Sequence, residues 1–391
     1  MQIADRIKLL GTEQAFGVLA RVKEMERKGI DMVHMEIGDL DFDTPEPIKA
    51  AGLKALAENK THYLPSRGLF ELREAIAAHI AKTRGIAVGP EQVVVTPGGK
   101  PTIFYTILAT VNPGDEVILP SPGFPAYESV VNFVGGKSVL LPVLAEREFN
   151  FDPAELERLV TPKTRLIIIN SPHNPTGGIL THESLEHVAR IAKEHNLWVL
   201  SDEVYDRLIY EGRFESIASL PGMAERTVIL NAYTKTFSMS GWRLGYGVMP
   251  APLAAIEANL INNSVSCTAN FTQWAGIEGF GTAADEAVDR MRGELKERRD
   301  LLAKAVSELP GVRCHVPRGT IYLFPDIRGT GRTSQEVFDI LFNDAHVATL
   351  PGTAFGTHGE GFIRLSFGAT GRERIAEAVS RMQSVWKKIK M

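Results

Sequence analysis

The chain has 391 residues, of which 44% are apolar and 23% are charged, and only two are cysteines. This is the composition of a globular protein, and it excludes a disordered, collagen-like or disulfide-rich chain. The net charge is −4, from 43 basic and 47 acidic residues that are interspersed, so we expect no nucleic acid and no membrane surface as partners.

The predicted elements begin with helices over residues 12–29 and 46–59, separated by a proline-containing break at 41–47. Seven short runs rich in β-branched residues then alternate with amphipathic helices, and they cover residues 92–96, 116–120, 138–143, 165–170, 198–202, 227–231 and 244–249. Because several runs are almost wholly apolar, we predict strands buried on both faces of a mostly parallel sheet. The remaining elements are a long charged helix at 283–309, short strands at 313–315 and 321–325, a helix at 334–344, a strand at 362–367 and a basic helix at 373–390.

This order of elements predicts an α/β fold with two domains. We expect a large three-layer domain, with a mostly parallel seven-stranded sheet, over residues 46–280. Residues 1–45 and 281–391, from the two chain ends, should form a smaller α+β domain. A cleft between two such domains is a common place for a small-molecule site.

Four polar segments follow directly after predicted strands, where ligands bind in open α/β sheets. In the first, a glycine turn at Gly98-Gly99-Lys100 opens a helix, and bare N–H groups at such a place bind anions. A plain turn between a strand and a helix explains the same residues. In the second, Asn174 precedes Pro175, which also fits an ordinary Pro/Gly turn.

The third segment places Asp202 and Tyr205 after an apolar strand. A buried carboxylate is costly unless it meets a cation, although Asp202 also fits a helix cap. The fourth segment places Lys235 beside Phe237 and Trp242. Desolvation lowers the pKa of a lysine and makes it a nucleophile, whereas a surface lysine fits this crowded segment poorly.

In this order and spacing, the motifs resemble those of class I, fold type I, pyridoxal-phosphate aminotransferases. Asn174-Pro-Thr-Gly is followed after 28 residues by Asp-x-x-Tyr, a lysine comes 30 residues after Tyr205, and Gly241-Trp-Arg-Leu-Gly-Tyr comes next. Tyr63-Leu-Pro-x-x-Gly precedes them and Arg364-Leu-Ser-Phe follows, so the resemblance covers essentially the whole chain. It implies an aspartate-aminotransferase-like fold and the cofactor pyridoxal 5′-phosphate. It also implies ping-pong transfer of an amino group between an L-amino acid and a 2-oxo acid, in a homodimer with shared active sites.

The resemblance assigns three catalytic residues. Lys235 would link covalently to the cofactor aldehyde and, once released, would move the proton between the substrate Cα and the cofactor. Asp202 would keep the pyridine nitrogen protonated, which makes the ring an electron sink. Tyr205, with Asn174, would hydrogen-bond the phenolic oxygen of the cofactor.

Further cofactor contacts are implied. Phe124 would stack on the ring, and Tyr63 would reach the phosphate from the neighbouring subunit. The phosphate itself would be bound by Gly99, Lys100, Thr234 and Arg243. Many relatives carry a hydroxyl three residues before the lysine, where this chain has Ala232, so cofactor affinity is expected to be slightly lower.

For the substrate, Arg364 would clamp the α-carboxylate in a bidentate geometry, with Asn174 nearby and a backbone donor from Gly38. The side-chain preference stays open at this stage. Lys100 stands where some aspartate-using relatives carry a lysine that meets the distal carboxylate, whereas Glu13 would repel a dicarboxylate, attract a cationic side chain or pair with Lys100. We expect at least one dicarboxylic substrate.

Two alternatives remain beside transamination. Gly38-Asp-Leu-Asp-Phe is similar to a motif of pyridoxal-phosphate carbon–sulfur lyases, which favours a β-lyase, although the intact Gly241-Trp-Arg-Leu-Gly-Tyr argues against it. A transcription regulator with an aminotransferase-like module would need a DNA-binding domain before the pattern, which here begins by about residue 10. We expect no metal site, because the histidines and cysteines have no metal-like spacing. The absence of a signal-peptide pattern and the two widely separated cysteines favour a cytoplasmic enzyme.

Overall fold

The structure is a computed structural model that describes residues 2–11 and 13–389. The strands are β1 (Val33–His34), β2 (Val93–Thr96), β3 (Glu116–Ser121), β4 (Lys137–Leu144), β5 (Asn150–Phe151), β6 (Thr164–Asn170), β7 (Trp198–Asp202), β8 (Thr227–Ala232), β9 (Gly245–Val248), β10 (Tyr322–Leu323), β11 (Val347–Ala348), β12 (Leu350–Pro351) and β13 (Ile363–Ser366). The helices are α1 (Gln14–Arg27), α2 (Glu46–Ala57), α3 (Phe70–Arg84), α4 (Lys100–Thr110), α5 (Pro125–Phe133), α6 (Pro153–Leu159), α7 (His182–Glu194), α8 (Tyr233–Thr236), α9 (Ala251–Asn262), α10 (Asn270–Ile277), α11 (Thr282–Ser307), α12 (Ser334–Asn343) and α13 (Arg372–Ile389).

The large sheet has the order β2-β9-β8-β7-β6-β3-β4-β5 over the described ranges. From β8 to β4 the neighbouring strands are parallel, whereas β9 is antiparallel to both β2 and β8. The mostly parallel sheet is therefore confirmed, and its seven predicted strands are present. The additional edge strand, β5, has two residues, which is too short for a periodic sequence signal.

Alternate residues of β6 show why the large domain has three layers. Leu166 and Ile168 belong to the core that contains α4, α5 and α9, while Ile167 and Ile169 belong to the core that contains α7. Successive side chains of a strand point to opposite faces, so an apolar strand is covered by helices on both sides. Thr181 caps α7, since its side chain accepts a hydrogen bond from the Ser184 N–H.

The two chain ends form the smaller α+β unit. The parallel pair β1–β11 joins Val33 to Val347, and an antiparallel sheet has the order β10-β13-β12. The predicted strand at 313–315 is wrong, because Arg313 forms only an isolated bridge with Asp326. The predicted strand at 321–325 shortens to β10, and Pro325 has no N–H with which to extend it.

The topology brings several loops to one edge of the large sheet. The parallel strands β6, β7 and β8 end there, and so does β2, which is antiparallel to β9. Because β9 runs in the opposite direction, it begins at the same edge. Among the described residues, no helix is both long and apolar enough to cross a membrane.

Candidate active site

Lys235 lies in the short helix α8, directly after β8. Tyr233 and Phe237 on either side are buried and hold this turn against the core, while the lysine itself is partly buried. Its ammonium donates a hydrogen bond to the Gly38 carbonyl oxygen, and it forms no ion pair within residues 2–11 and 13–389. Burial lowers the pKa of Lys235 to about 8. At pH 7 about one tenth of this amine is therefore neutral, far more than for a lysine with the ordinary pKa of 10.5, and a nucleophile or base requires the neutral form.

Asp202 is the last residue of β7 and is 5% exposed. Its Oδ2 accepts a hydrogen bond from the Tyr127 hydroxyl at 2.6 Å, and its Oδ1 accepts one from the Val204 N–H at 3.3 Å. In the part of the chain that the structure describes, no basic side chain pairs with it. Burial raises the pKa of Asp202 to about 6, although the bond from Tyr127 acts in the opposite direction. The site thus contains a buried carboxylate without a counter-charge.

Arg364, on β13, lies opposite the Asn174 segment and is 4% exposed. Nη1 donates to Asn174 Oδ1 at 3.2 Å, and Nη2 donates to the Glu36 carbonyl oxygen at 2.5 Å. Its buried Nε has no hydrogen-bond partner among the described residues. The guanidinium is held on one side and has a donor left for an anionic ligand.

Tyr205 and Gly38 meet at Tyr322. The hydroxyls of Tyr205 and Tyr322 are 2.8 Å apart, and burial raises the pKa of Tyr205 well above its usual range. A Cβ at Gly38 would lie 1.9 Å from the Tyr322 hydroxyl oxygen, so a side chain does not fit at this position. The close approach requires the glycine whose carbonyl meets Lys235.

Arg243 and the glycine turn form a narrow cradle. Arg243 donates from Nη1 to the Ser240 carbonyl oxygen at 2.9 Å and from Nη2 to the Pro97 carbonyl oxygen at 3.3 Å. A Cβ at Gly98, where φ is +89°, would lie 2.3 Å from Arg243 Nη2. Gly99 is the N-cap of α4, and its neighbouring N–H groups add donors to the guanidinium. This combination suits a phosphate or carboxylate.

Phe124 and Lys100 lie beside this cradle. Phe124 precedes α5 and makes an edge contact with Tyr127, with ring centres 5.6 Å apart. The Lys100 ammonium is 5.6 Å from the Phe124 ring centre and pairs with the Glu13 carboxylate. The structure therefore contains the third arrangement considered for Glu13, a pair with Lys100.

Similarity to known proteins agrees with this geometry. The family described as Aminotransferase class I and II matches residues 30–382. The chain belongs to the class I and II aminotransferases. It is 39% identical to an aromatic-amino-acid aminotransferase of Thermococcus litoralis and 39% identical to an aspartate aminotransferase of Pyrococcus abyssi, with all of each chain covered. The structure of the Thermus thermophilus aspartate aminotransferase with maleate superimposes with a TM-score of 0.94 and 36% identity, over 98% of this chain and all of the other.

Pyridoxal 5′-phosphate is the cofactor of this aminotransferase, and three observations fit it. Lys235 offers a partly desolvated amine, and Asp202 lacks the counter-charge that a protonated ring nitrogen would supply. The glycine at position 98 lets the Arg243 guanidinium approach the turn, and this guanidinium with the N–H groups at the start of α4 suits a phosphate. An amine, a carboxylate and an anion cradle at one sheet edge match the aldehyde, the ring nitrogen and the phosphate of the cofactor.

The motif Gly38-Asp-Leu-Asp-Phe, which is similar to one in lyases, contains two carboxylates that bind other parts of this chain. Asp39 accepts hydrogen bonds from its neighbour Leu40, at 3.0 Å, and from the Ser240 hydroxyl, at 3.1 Å. Asp41 forms an ion pair with Arg298 at 2.8 Å. These carboxylates tie residues 39–41 to other elements, so the motif gives no specific support for lyase chemistry.

Sequence reasoning missed three residues of this aminotransferase site: Tyr127, Tyr322 and Glu36. Tyr127 is one helical turn from Phe124, and that spacing would have indicated a shared face. Tyr322 and Glu36 gave no sequence signal, because the former acts through its contact with Tyr205 and the latter through its backbone carbonyl. Two predicted residues lie apart from these contacts. Thr234 is partly buried next to Lys235, and Tyr63 is 86% exposed.

Proposed function

We propose that Lys235, Asp202 and Tyr205 are the catalytic residues of this transaminase, which uses one site for both half-reactions. When bound, pyridoxal phosphate supplies an aldehyde that carries the amino group and a protonated ring that withdraws electrons from the substrate Cα. The chain then has to hold this group, orient the substrate and move one proton.

Lys235 moves that proton. With a pKa of about 8, its Nζ accepts the proton that leaves the substrate Cα and donates it again in the return step. The Gly38 carbonyl, to which Nζ donates, keeps the amine on the substrate side of the site. Burial supports this role, because an exposed lysine would remain fully protonated.

Asp202 would hold the proton of the ring nitrogen, and Tyr127 orients the Asp202 carboxylate through their 2.6 Å hydrogen bond. A cationic partner would compensate the desolvation that raises the pKa of Asp202 to about 6. Tyr205 would donate a hydrogen bond to the phenolic oxygen of the cofactor, and Phe124 would stack on its ring. The backbone N–H groups of Gly99 and Lys100, with Thr234 and Arg243, would hold the phosphate.

Arg364 binds the substrate α-carboxylate. Asn174 and the Glu36 carbonyl each accept one hydrogen bond from a terminal nitrogen, which orients the guanidinium plane and leaves the second N–H group of each terminal nitrogen and Nε to donate. The Gly38 N–H adds a second donor on the other side of the carboxylate. This positioning would bring the Cα close to Lys235, since the Gly38 carbonyl accepts a hydrogen bond from the Lys235 ammonium.

The enzyme acts as a homodimer with shared sites. Tyr63 is 86% exposed, and Leu53, at 69%, and Phe70, at 50%, are exposed nearby in sequence. An exposed apolar surface of this kind is typical of an interface between subunits. Tyr63→Phe should weaken cofactor retention, and mixed Tyr63→Phe and Lys235→Ala subunits should recover some wild-type sites. A fully active monomer in size-exclusion chromatography would contradict the shared site.

At least one substrate is a dicarboxylate. A cationic Lys100 beside the site supports this, as does the maleate bound to the related Thermus enzyme. Relatives named as aspartate and as aromatic-amino-acid aminotransferases suggest that an uncharged side chain is accepted as well. We further propose boundaries of 1–45, 46–280 and 281–391 for the arm, the large domain and the C-terminal part of the small domain. The cytoplasmic location stays a prediction.

The observation that carries the assignment is that Asp202 and Arg364 are buried and Lys235 is partly buried, and that none of them forms an ion pair over the described ranges. The test is reduction of the holoenzyme with borohydride, followed by mass spectrometry of the labelled peptide. The label should lie on Lys235, and amino acids added singly should shift the cofactor absorbance. A label on another lysine would overturn the assignment.

A further inference from the structure

The ion pair between Glu13 and Lys100 joins the N-terminal segment to the start of α4. Glu13 occupies the N-cap position of α1, yet its side chain makes no capping hydrogen bond. Its carboxylate contacts the Lys100 ammonium instead, 87 residues away in sequence. A carboxylate at a helix start is normally stabilised by the free N–H groups of that helix. Glu13 is thus oriented by Lys100 and not by its own helix.

The pair faces the substrate site. The Lys100 ammonium lies 5.6 Å from the ring centres of both Phe16 and Phe124, and Phe124 lies beside the cofactor cradle. The negative charge of Glu13 also acts on two groups deeper in the site, Lys235 and Arg364. Burial lowers the pKa of Lys235 and of Arg364, and Glu13 is among the carboxylates that act against this effect. The neutralised pair and the two rings therefore border the space where a substrate side chain would lie.

In a ping-pong enzyme, one site binds two different substrates in turn. The residues that border the side-chain space therefore have to accept two different side chains. A lone Lys100 would bind a second carboxylate well, but an uncharged side chain packed over it would leave the ammonium desolvated without a partner. With Glu13 in place, the same wall is neutral and its rings offer apolar contact. The Lys100 side chain is 49% exposed, and ion pairs with that exposure are weak enough to exchange.

We propose that Glu13 is an exchangeable internal counter-ion of Lys100, which lets one site accept both dicarboxylic and uncharged, including aromatic, amino acids. An uncharged substrate binds with the pair intact. A dicarboxylic substrate displaces Glu13 and binds Lys100 through its distal carboxylate. This inference rests on the proposed function, since it concerns the side-chain end of the same site.

The test measures single-turnover kcat/KM of the holoenzyme for aspartate, glutamate, phenylalanine and leucine, each without an oxo acid. In Glu13→Gln, the kcat/KM for the acidic substrates divided by the kcat/KM for the uncharged ones should rise about 5-fold. This is the size expected for a partly exposed ion pair. The rise should lie mainly in KM, because Glu13 competes with binding. It should vanish in Glu13→Gln/Lys100→Met, because there is then no cation to release.

Glu24→Gln is the matched control. Glu24 lies on the same helix and pairs with Lys28 at 2.6 Å on the surface, so this change removes the same charge without touching the site. If Glu13→Gln and Glu24→Gln both keep the wild-type ratio of kcat/KM for acidic over uncharged substrates, the inference is overturned. The proposed function is unaffected by that result as long as the wild-type enzyme turns over. A preference for arginine or lysine that disappears in Glu13→Gln would also overturn it, since Glu13 would then bind a cationic substrate. If no amino acid shifts the wild-type cofactor spectrum, the proposed function fails first.

Discussion

Two groups of buried or partly buried charged residues include neighbours at the end of β7. One group forms ion pairs within the chain, and the other forms none in the described residues. In the first, Arg84 from α3 donates to Glu203 Oε2 at 2.9 Å and also pairs with Asp206. Glu203 further accepts from the Ser201 hydroxyl at 2.9 Å. We call Arg84, Glu203 and Asp206 the paired cluster, since each charge has an opposite charge within the chain.

The second group consists of Lys235, Asp202 and Arg364, and none of them forms an ion pair in residues 2–11 or 13–389. Glu203 follows Asp202, the last residue of β7, directly in sequence, so the contrast arises between sequence neighbours at the end of one strand. Desolvation penalises every charge that lacks a partner, and a fold retains such groups where a ligand supplies the partner. The paired cluster should therefore support stability, and the unpaired group should support activity.

The largest effect is expected for Lys235→Ala. Loss of one acid–base group lowers turnover by roughly 10²–10⁴-fold, and loss of the cofactor anchor adds to this. The free energy of unfolding of the cofactor-free protein should not fall, because a desolvated amine is removed. Turnover and urea unfolding are the two measurements, with the exposed Lys296→Ala as the control. Full activity in Lys235→Ala would abolish the distinction between the two groups.

Arg84→Met should have the opposite profile. It leaves the Glu203 and Asp206 carboxylates buried without a cation, which should cost about 3–5 kcal/mol of unfolding free energy. Turnover per folded site should change little. Adding Glu203→Gln to Arg84→Met should recover part of the stability, because one uncompensated charge is removed. If both variants are as stable as the wild type in urea, the paired cluster has no structural role.

Asp202→Asn tests the unpaired group at its carboxylate. Turnover should fall by roughly 10²–10³-fold, the usual cost of losing one electrostatic contact to the reacting group. The pKa of Asp202 is raised from 3.8 to about 6 in the folded protein, so stability without cofactor should fall as the pH rises through this interval. The slope is at most about 1.4 kcal/mol per pH unit. Asn removes this slope, and unfolding at pH 4 and pH 7 measures it. A wild-type slope in Asp202→Asn would assign the titration to another group.

The smallest effect is expected for Glu257→Gln, which concerns a buried carboxylate outside both groups. Glu257 Oε1 accepts from the Thr106 hydroxyl at 2.7 Å, and burial raises the pKa to about 8. Glu257 is thus mostly protonated at pH 7 and requires no counter-charge. The folded protein holds this proton from pH 4.5 to about 8 while the unfolded chain releases it, so wild-type stability falls over that range. Glu257→Gln should flatten this dependence and stabilise the protein at pH 7 by about 1–3 kcal/mol, with unchanged turnover. A loss of turnover would show that a buried carboxylate outside the unpaired group also contributes to activity.

Seven of the eight strands that the large sheet has over the described residues were predictable to within one residue at their ends, and the two-residue β5 was not. Runs such as 165–170 are apolar throughout and bounded by turn residues, and both signals are local. The short strands of the small unit were not predictable in the same way. A ladder of two residues, as in β10, depends on which segment lies opposite, and the predicted strand at 313–315 has a partner only at Arg313.

The site divides in the same way. Lys235, Asp202 and Asn174 could be proposed from the sequence because each lies at or just after the end of a strand and stands at a fixed distance from the next motif. Tyr322 and the carbonyl of Glu36 could not, since they act through contacts with Tyr205 and Arg364 that the small unit creates.

The sequence by itself determined the α/β pattern, the order of the motifs and the family, because periodicity and spacing are written along the chain. The tertiary structure alone decided which charges are compensated. Arg364 meets Asn174 across 190 residues, and Glu13 meets Lys100 across 87. Neutralisation of a charge depends on distance in space and on burial. Neither quantity can be read from the spacing of residues in the sequence.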